Sequence, residues 1–191
     1  ALYSGLKPRN FNEWDAELWD RVMAINIRGP YLMVRHVAPH MMARRTGKII
    51  NIASGAAYKG VPRMLPYVTS KGAMLAFTRS LSRELGEYGI AVNSLWPIST
   101  IDTAAVRNLL GGATVAAMSR LPDIMADAAH AIFLRPSRET SGNFYIDEEV
   151  LRAEGVTDFS IYSPGATGSL AAALPGASPR PLLRWCRASR A

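Results

Sequence analysis

Cysteine is nearly missing from this sequence: Cys186 is the single one in 191 residues. One thiol excludes an intramolecular disulfide framework and a cysteine-based zinc site. No apolar run reaches the length of about 18 residues that a membrane-spanning helix needs. The start, Ala-Leu-Tyr-Ser-Gly-Leu-Lys-Pro-Arg, lacks the charge, apolar core and small-residue cleavage site of a signal peptide. These absences lead us to expect a soluble, cytoplasmic protein with no membrane partner. Lysine is scarce too. Only Lys7, Lys48, Lys59 and Lys71 occur among 22 basic residues, so each lysine invites a question.

What is present suffices for a folded core, with 49% hydrophobic residues in a length that suits one ordinary domain. The net charge of +7 is unevenly spread. Residues 164–191 carry Arg180, Arg184, Arg187 and Arg190 and no acid, which leaves 18 basic and 15 acidic residues in 1–163. A near-neutral body with a basic tail argues against an electrostatic footprint for nucleic acid, and none is expected as a partner. The tail is rich in Ala, Pro, Gly and Ser and is expected to be disordered, with 1–163 as the folded part.

Along 1–163 the pattern alternates helix and strand. Asn12 or Asp15 should cap a long helical segment beginning near Glu13, bent or broken at Gly29-Pro30 and Pro39. Residues 48–53, Lys-Ile-Ile-Asn-Ile-Ala, read as a buried strand. Residues 54–66, with two glycines and two prolines, should be an irregular loop. A helix from about Tyr67 to Glu87 leads to a second strand, Ile90–Trp96, stopped by Pro97. A loop with a small helix runs to Leu110, and Gly111-Gly112 breaks it. Asp123 should cap a further helix ending before Pro136. Asn143–Ile146 reads as a last strand, followed by an acidic turn at Asp147, Glu148 and Glu149. Strands separated by helices imply βαβ units and a doubly wound parallel sheet, an α/β fold.

The chemistry-bearing spacing is Ser54, then Tyr67 thirteen residues on, then Lys71 four further. Ser54 stands where a strand runs out, and open α/β sheets place ligands beyond the carboxyl ends of their strands. Tyr67 and Lys71 share one face of a helix and can reach one ligand. A phenol is a poor base at neutral pH, but a neighbouring ammonium favours the phenolate. A serine hydroxyl can hold a substrate carbonyl against the acid. Together they suit proton transfer between an alcohol and a carbonyl. The plainer alternative is that Tyr67 packs on the sheet while Lys71 is a solvated charge. Tyr3 and Lys7 repeat the spacing, but with a glycine between them, a proline after and no preceding strand.

Other constellations are weaker. His36 and His40 are four apart with Pro39 between and no acidic neighbour, so no metal is expected. Ala53-Ser54-Gly55 lacks the earlier glycine of a hydrolase nucleophile elbow.

Residues 49–54, Ile-Ile-Asn-Ile-Ala-Ser, and 67–73, Tyr-Val-Thr-Ser-Lys-Gly-Ala, together with Asn26 and residues 90–97, Ile-Ala-Val-Asn-Ser-Leu-Trp-Pro, resemble the second half of a short-chain dehydrogenase/reductase. More narrowly, Leu95-Trp-Pro, Leu110-Gly-Gly and the stretch from Gly142 to Leu151 resemble its hydroxysteroid dehydrogenase-like branch. The resemblance implies a Rossmann-like fold and an NAD- or NADP-dependent oxidoreductase. It implies Tyr67 as general acid or base, delivering a proton to the carbonyl oxygen as hydride arrives from the nicotinamide. Lys71 would assist Tyr67 and bind the nicotinamide ribose, Ser54 would orient the carbonyl, and Asn26 would hold a water linking Lys71 to solvent. Ile52, Tyr67, Lys71, Pro97, Ile98 and either Thr100 or Thr103 would line the cofactor. It further implies pairing into a homodimer or homotetramer through helices within 13–44 and 67–87.

Two departures stand out. Ile98 replaces the family's usual glycine after the proline, and Asp102 replaces its usual threonine. Nor does any glycine-rich Gly-x-Gly-x-x-Gly run occur, so the first βαβ half that binds adenine and pyrophosphate is expected to be missing from this chain, along with the residue that separates NAD from NADP. Two functions are therefore weighed: an oxidoreductase acting on a small-molecule alcohol or carbonyl, and an inactive fragment that survives as an oligomerising or partner-binding module. The branch resemblance implies a secondary or long-chain alcohol and its carbonyl, of steroid, fatty or terpenoid kind, chosen by the loop 98–122.

Overall fold

The computed structural model describes residues 7–165. The expected disorder of the tail concerns residues that, beyond Gly165, lie outside the described ones, as does Tyr3. A 3-10 turn at Phe11–Glu13 precedes helix α1, Ala16–Met23, capped by the Asp15 carboxylate, which accepts the Glu17 N–H at 2.8 Å. Next comes a π-helical turn, Ala24–Arg28, and then helix α2, Gly29–Ala43. The interruption expected at Gly29-Pro30 thus takes the form of a π turn just before it, with Pro30 in the first turn of α2, where its missing N–H costs nothing. The break expected at Pro39 does not occur. Pro39 and Arg35, whose carbonyl loses its N–H partner, are both exposed, so water can satisfy the carbonyl.

Strand β1 is Gly47–Ile52, followed by a four-residue helix α3, Ala56–Lys59, inside the segment expected to be loop, then helix α4, Leu65–Gly86. Strand β2 is Ile90–Trp96, and every residue of it is buried. Short helices α5, Ala104–Leu109, and α6, Gly112–Ala117, lead to α7, Asp123–Leu134. Gly112 thus opens a helix as well as breaking one. Asp123 lies within the first turn of α7, Pro122 holding the cap position, so its charge meets the helix dipole without capping. Strand β3, Phe144–Ile146, runs directly into α8, Asp147–Ala153. The acidic turn expected there is the first turn of a helix, where three carboxylates complement the exposed N–H groups.

The strands form one parallel sheet in the order β1-β2-β3, with Gly47 opposite Ile90, Ile52 opposite Leu95 and Trp96 opposite Ile146. Alternation along β2 divides the core in two. Ile90 and Val92 pack with Ile49 against Ala38 of α2 and Leu85 of α4. On the other face Leu95 packs with Ile124, Ala128 and Ile132 of α7 and Leu151 of α8. Helices therefore cover both faces, which is why β2 reads as a near-continuous apolar run. The one gap in that run, Asn93-Ser94, is internally satisfied: Asn93 accepts the Asn143 N–H at 2.9 Å, and the Ser94 hydroxyl donates to the Asn51 carbonyl at 3.1 Å. No helix among the described residues is long and apolar enough to cross a membrane.

Candidate active site

The carboxyl ends of β1 and β2 open onto a cavity of about 1190 Å³. Asn26, Ile52, Ser54, Tyr67, Lys71, Pro97, Ile98, Thr100 and Thr103 all line it. The sheet explains the convergence. β1 ends at Ile52 and releases Ser54, β2 ends at Trp96 and releases Pro97 and Ile98, and α4 returns across the sheet with Tyr67 and Lys71 in its first two turns.

Tyr67 and Lys71 are both buried, with the Lys71 ammonium 5.9 Å from the centre of the Tyr67 ring. That ammonium donates to the Ile52 carbonyl at 2.7 Å, at the end of β1. Burial pulls the Lys71 pKa down from 10.5 to about 8. The lysine therefore remains cationic at neutral pH while being poised to lose its proton not far above it. Ser54 is half-buried, and its oxygen accepts the Ala56 N–H at 3.2 Å, which turns the chain into α3. A hydroxyl that accepts in this way still has its own proton to donate.

Asn26 sits in the π turn, a distortion that recurs at functional sites because it re-aims a side chain. Buried there, its amide donates to the Ser70 hydroxyl at 3.0 Å, and Ser70 in turn donates to the Tyr67 carbonyl at 2.7 Å. Asn26 is thereby tied to the turn of α4 that carries Tyr67 and Lys71. The two threonines left open by the spacing have different engagements. The Thr100 hydroxyl shares a 2.7 Å bond with the Ser119 hydroxyl, and Thr103 caps α5 by accepting the Val106 N–H at 3.5 Å. Asp102, in place of the usual threonine, is buried and turned to Arg107, with both carboxylate oxygens accepting guanidinium N–H groups at 2.6 Å. Arg107 holds the Asp102 carboxyl below its ordinary range.

Several lining residues were not among those expected at the site. Lys59, Val61, Met64, Leu109 and Leu110 come from α3, the following loop and the end of α5, and are largely apolar. Leu110 packs against the cluster of Val22, Met64 and Tyr67, so the 98–122 segment touches the wall that holds the tyrosine. Among the described residues that line the cavity, Lys59 and Lys71 are the only charged ones. No group of three or more His, Cys, Asp and Glu suited to a metal occurs among the described residues.

Comparison with known proteins bears on the family and the fold. The family model for short chain dehydrogenases matches residues 4–113. Hydroxysteroid dehydrogenase-like protein 2 of Xenopus tropicalis is 40% identical over 151 residues, covering 76% of this chain and 35% of that protein. Among solved structures, a putative dehydrogenase from Xanthomonas campestris aligns with a TM-score of 0.74 at 33% identity, over 86% of this chain and 60% of the other. A 3-ketoacyl-(acyl-carrier-protein) reductase from Brucella melitensis, complexed with NADH, aligns with a TM-score of 0.65 at 29% identity, over 73% and 60%. The chain spans about a third of the length of the curated relatives it matches.

Proposed function

Because the chain belongs to the short-chain dehydrogenase family, we propose that it carries the reacting part of an oxidoreductase that interconverts an alcohol and a carbonyl with NAD or NADP. Support comes from the meeting of Ser54, Tyr67 and Lys71 in one cavity at the carboxyl ends of the strands. In the reducing direction the Tyr67 hydroxyl gives its proton to the substrate oxygen, while the Ser54 hydroxyl donates to that oxygen and fixes its direction. Lys71, cationic below about pH 8, favours the phenolate that Tyr67 leaves behind. Asn26 steadies the first turns of α4 through Ser70.

The residues present suit the nicotinamide end of such a cofactor: the Lys71 ammonium at the end of β1, the Pro97–Ile98 turn at the end of β2, and a hydroxyl from Thr100 or Thr103. They offer no glycine-rich cradle for its pyrophosphate among the described residues. When bound, the dinucleotide supplies or takes up the hydride. The apolar lining from Val61, Met64, Leu109 and Leu110 suits an apolar secondary alcohol or its ketone.

A second reading has an observation of its own. Among the described residues β1 pairs only with β2, and Ile52 at its end is 49% exposed. An apolar edge of this kind suits a partner-binding or oligomerising module, including a homodimer or homotetramer. Titrating the 191-residue chain with NADH and NADPH while following nicotinamide fluorescence separates the two. Saturable binding with turnover that disappears in Tyr67→Phe supports the oxidoreductase. Absence of binding to either nucleotide removes it for this chain.

A further inference from the structure

The parallel ladder between β2 and β3 runs through Ser94–Phe144, Leu95–Tyr145 and Trp96–Ile146. The Ser94 N–H donates to the Asn143 carbonyl at 2.9 Å, so alternate residues of β2 face β3, and after Trp96 the next to do so is Ile98. A continued ladder would give the Ile98 N–H to the Asp147 carbonyl, but there the chain has already turned into α8. The Ile98 amide is taken instead by the Asp147 side chain: Oδ1 accepts the Ile98 N–H at 2.9 Å. The same oxygen accepts the Glu148 N–H at 2.8 Å, which starts α8. Asp147 is fully buried, so neither bond is open to exchange with water. A side chain from the end of β3 thus replaces the missing ladder bond and carries the order of the sheet further, onto the turn whose Pro97 and Ile98 line the cavity.

We propose that Asp147 is a positioning residue for nucleotide binding, a buried clamp that holds the Pro97–Ile98 turn in the shape the nicotinamide requires. This rests on the reading of that turn as the nicotinamide wall. Ile98 stands where the family's usual residue is glycine, and here the Ile98 side chain is exposed at the cavity while its amide is drawn inward to Asp147. Fixing the amide fixes the side chain, so the clamp also determines how much of the cavity mouth Ile98 covers.

The accepting atom carries the role, and the charge does not. Burial raises the Asp147 pKa against the two backbone N–H bonds and the Arg120 charge that lower it, and Oδ2 is enclosed without a hydrogen-bond partner among the described residues. Asparagine preserves the one oxygen that does the holding; alanine removes it and strands two buried N–H groups.

The test uses the full chain, isotope-labelled, with amide exchange read at Ile98 and NADH and NADPH affinity read by fluorescence. Asp147→Ala should speed Ile98 exchange by at least about 100-fold and weaken nucleotide affinity by about tenfold, the scale of one lost hydrogen bond. Asp147→Asn should restore both to within about threefold of wild type, an isosteric rescue that a general loss of packing would not give. Where turnover is measurable, KM for the nucleotide should rise more than kcat falls. If the alanine variant does not fold, Asp147→Ser serves in its place, since its shorter side chain can still cap α8 but falls short of Ile98. Unchanged Ile98 exchange in the alanine or serine variant overturns the clamp. Faster exchange with unchanged nucleotide affinity overturns its role in binding. If wild type binds neither nucleotide, the oxidoreductase reading fails, the nucleotide role of Asp147 falls with it, and Ile98 exchange alone decides whether the clamp exists.

Discussion

The two walls of the cavity are made of different material. One, residues 47–71, is a strand and the start of a 22-residue helix, and it places Tyr67 and Lys71 on buried, regular backbone. The other, residues 97–122, has two six-residue helices joined by glycines with positive φ, and it exposes Ile98, Leu109 and Met118. Reacting groups need placement to a fraction of an ångström, which regular elements provide. Substrate choice tolerates, and often uses, an adaptable loop. Under the proposed function, the contrast gives the chemistry to the first wall and selectivity to the second.

The largest effects should follow substitution in the first wall. Tyr67→Phe removes the hydroxyl proposed to donate the proton while keeping the ring that packs with Val22 and Met64. Turnover should fall by at least about 100-fold with little change in nucleotide affinity or melting temperature. A variant that lost stability and activity together would return Tyr67 to a packing role. Lys71 offers a sharper division between function and stability. Its pKa falls from 10.5 to about 8 on folding, so below pH 8 the folded chain bears a buried cation at full cost. As pH rises from about 8 to 10.5 the folded lysine is neutral while the unfolded one still holds its proton, and this contribution shifts toward the folded state. Lys71→Met should accordingly raise stability at pH 7 by about 1 kcal/mol or more, read by denaturant titration, while turnover falls by roughly 100-fold. Wild-type turnover in the reducing direction should decline above pH 8, where the ammonium is lost.

How much of this was legible in sequence divides along the same line. Ile90–Trp96 is bounded by Gly89 and Pro97 and is apolar enough to be read to the residue. The Ser54, Tyr67 and Lys71 spacing put all three beside one cavity, because a strand end and a helix start are local features. The second wall gave no such signal. Gly111-Gly112 reads as a break, yet Gly112 also begins α6, and three consecutive acids read as a turn where α8 begins. Asp147 belonged to that misread turn. Its bond to Ile98 joins residues 49 apart, and Asn26 finds Ser70 across 44, so neither pairing is visible in local patterning. The signal that could have found Asp147 is its place directly after the last strand, at the carboxyl edge where ligands gather.

Effects of middle size should come from the two threonines, whose roles the comparison keeps apart. Thr103 is engaged as the cap of α5, so Thr103→Ala should cost about 1 kcal/mol of stability, or less given its 3.5 Å bond, with nucleotide affinity unchanged. Thr100 shares its hydroxyl with Ser119 and stands nearer the Pro97–Ile98 turn in sequence. Thr100→Val should weaken nucleotide binding by roughly 3- to 10-fold, as for one neutral hydrogen bond. The reverse assignment, with affinity following Thr103, would show that α5 itself closes over the nicotinamide.

The smallest effect should come from the Asp102–Arg107 pair, and it bears most directly on the contrast between the walls. Arg107 is largely exposed, while Asp102 beneath it is buried and also donates its backbone N–H to the Arg120 carbonyl at 2.8 Å. The pair pins the start of α5 to the strand-like bridge between Ile101 and Arg120, across the base of the loop. Arg107 is exposed, which limits what the pair contributes, but its removal leaves the buried Asp102 carboxylate unpaired, so the melting temperature of Arg107→Ala should fall modestly. Its further consequence should be for selectivity: without the pin, α5 samples more positions and Leu109 and Leu110 present a less defined apolar surface. KM for an apolar substrate should rise by about two- to fivefold at unchanged kcat, the pattern of lost binding shared by ground state and transition state. A matched fall in kcat would mean that the loop helps to place the reacting oxygen against Tyr67. The division of labour between regular wall and loop would then be wrong, and the contact of Leu110 with the Tyr67 cluster would be the route by which the loop takes part in the chemistry.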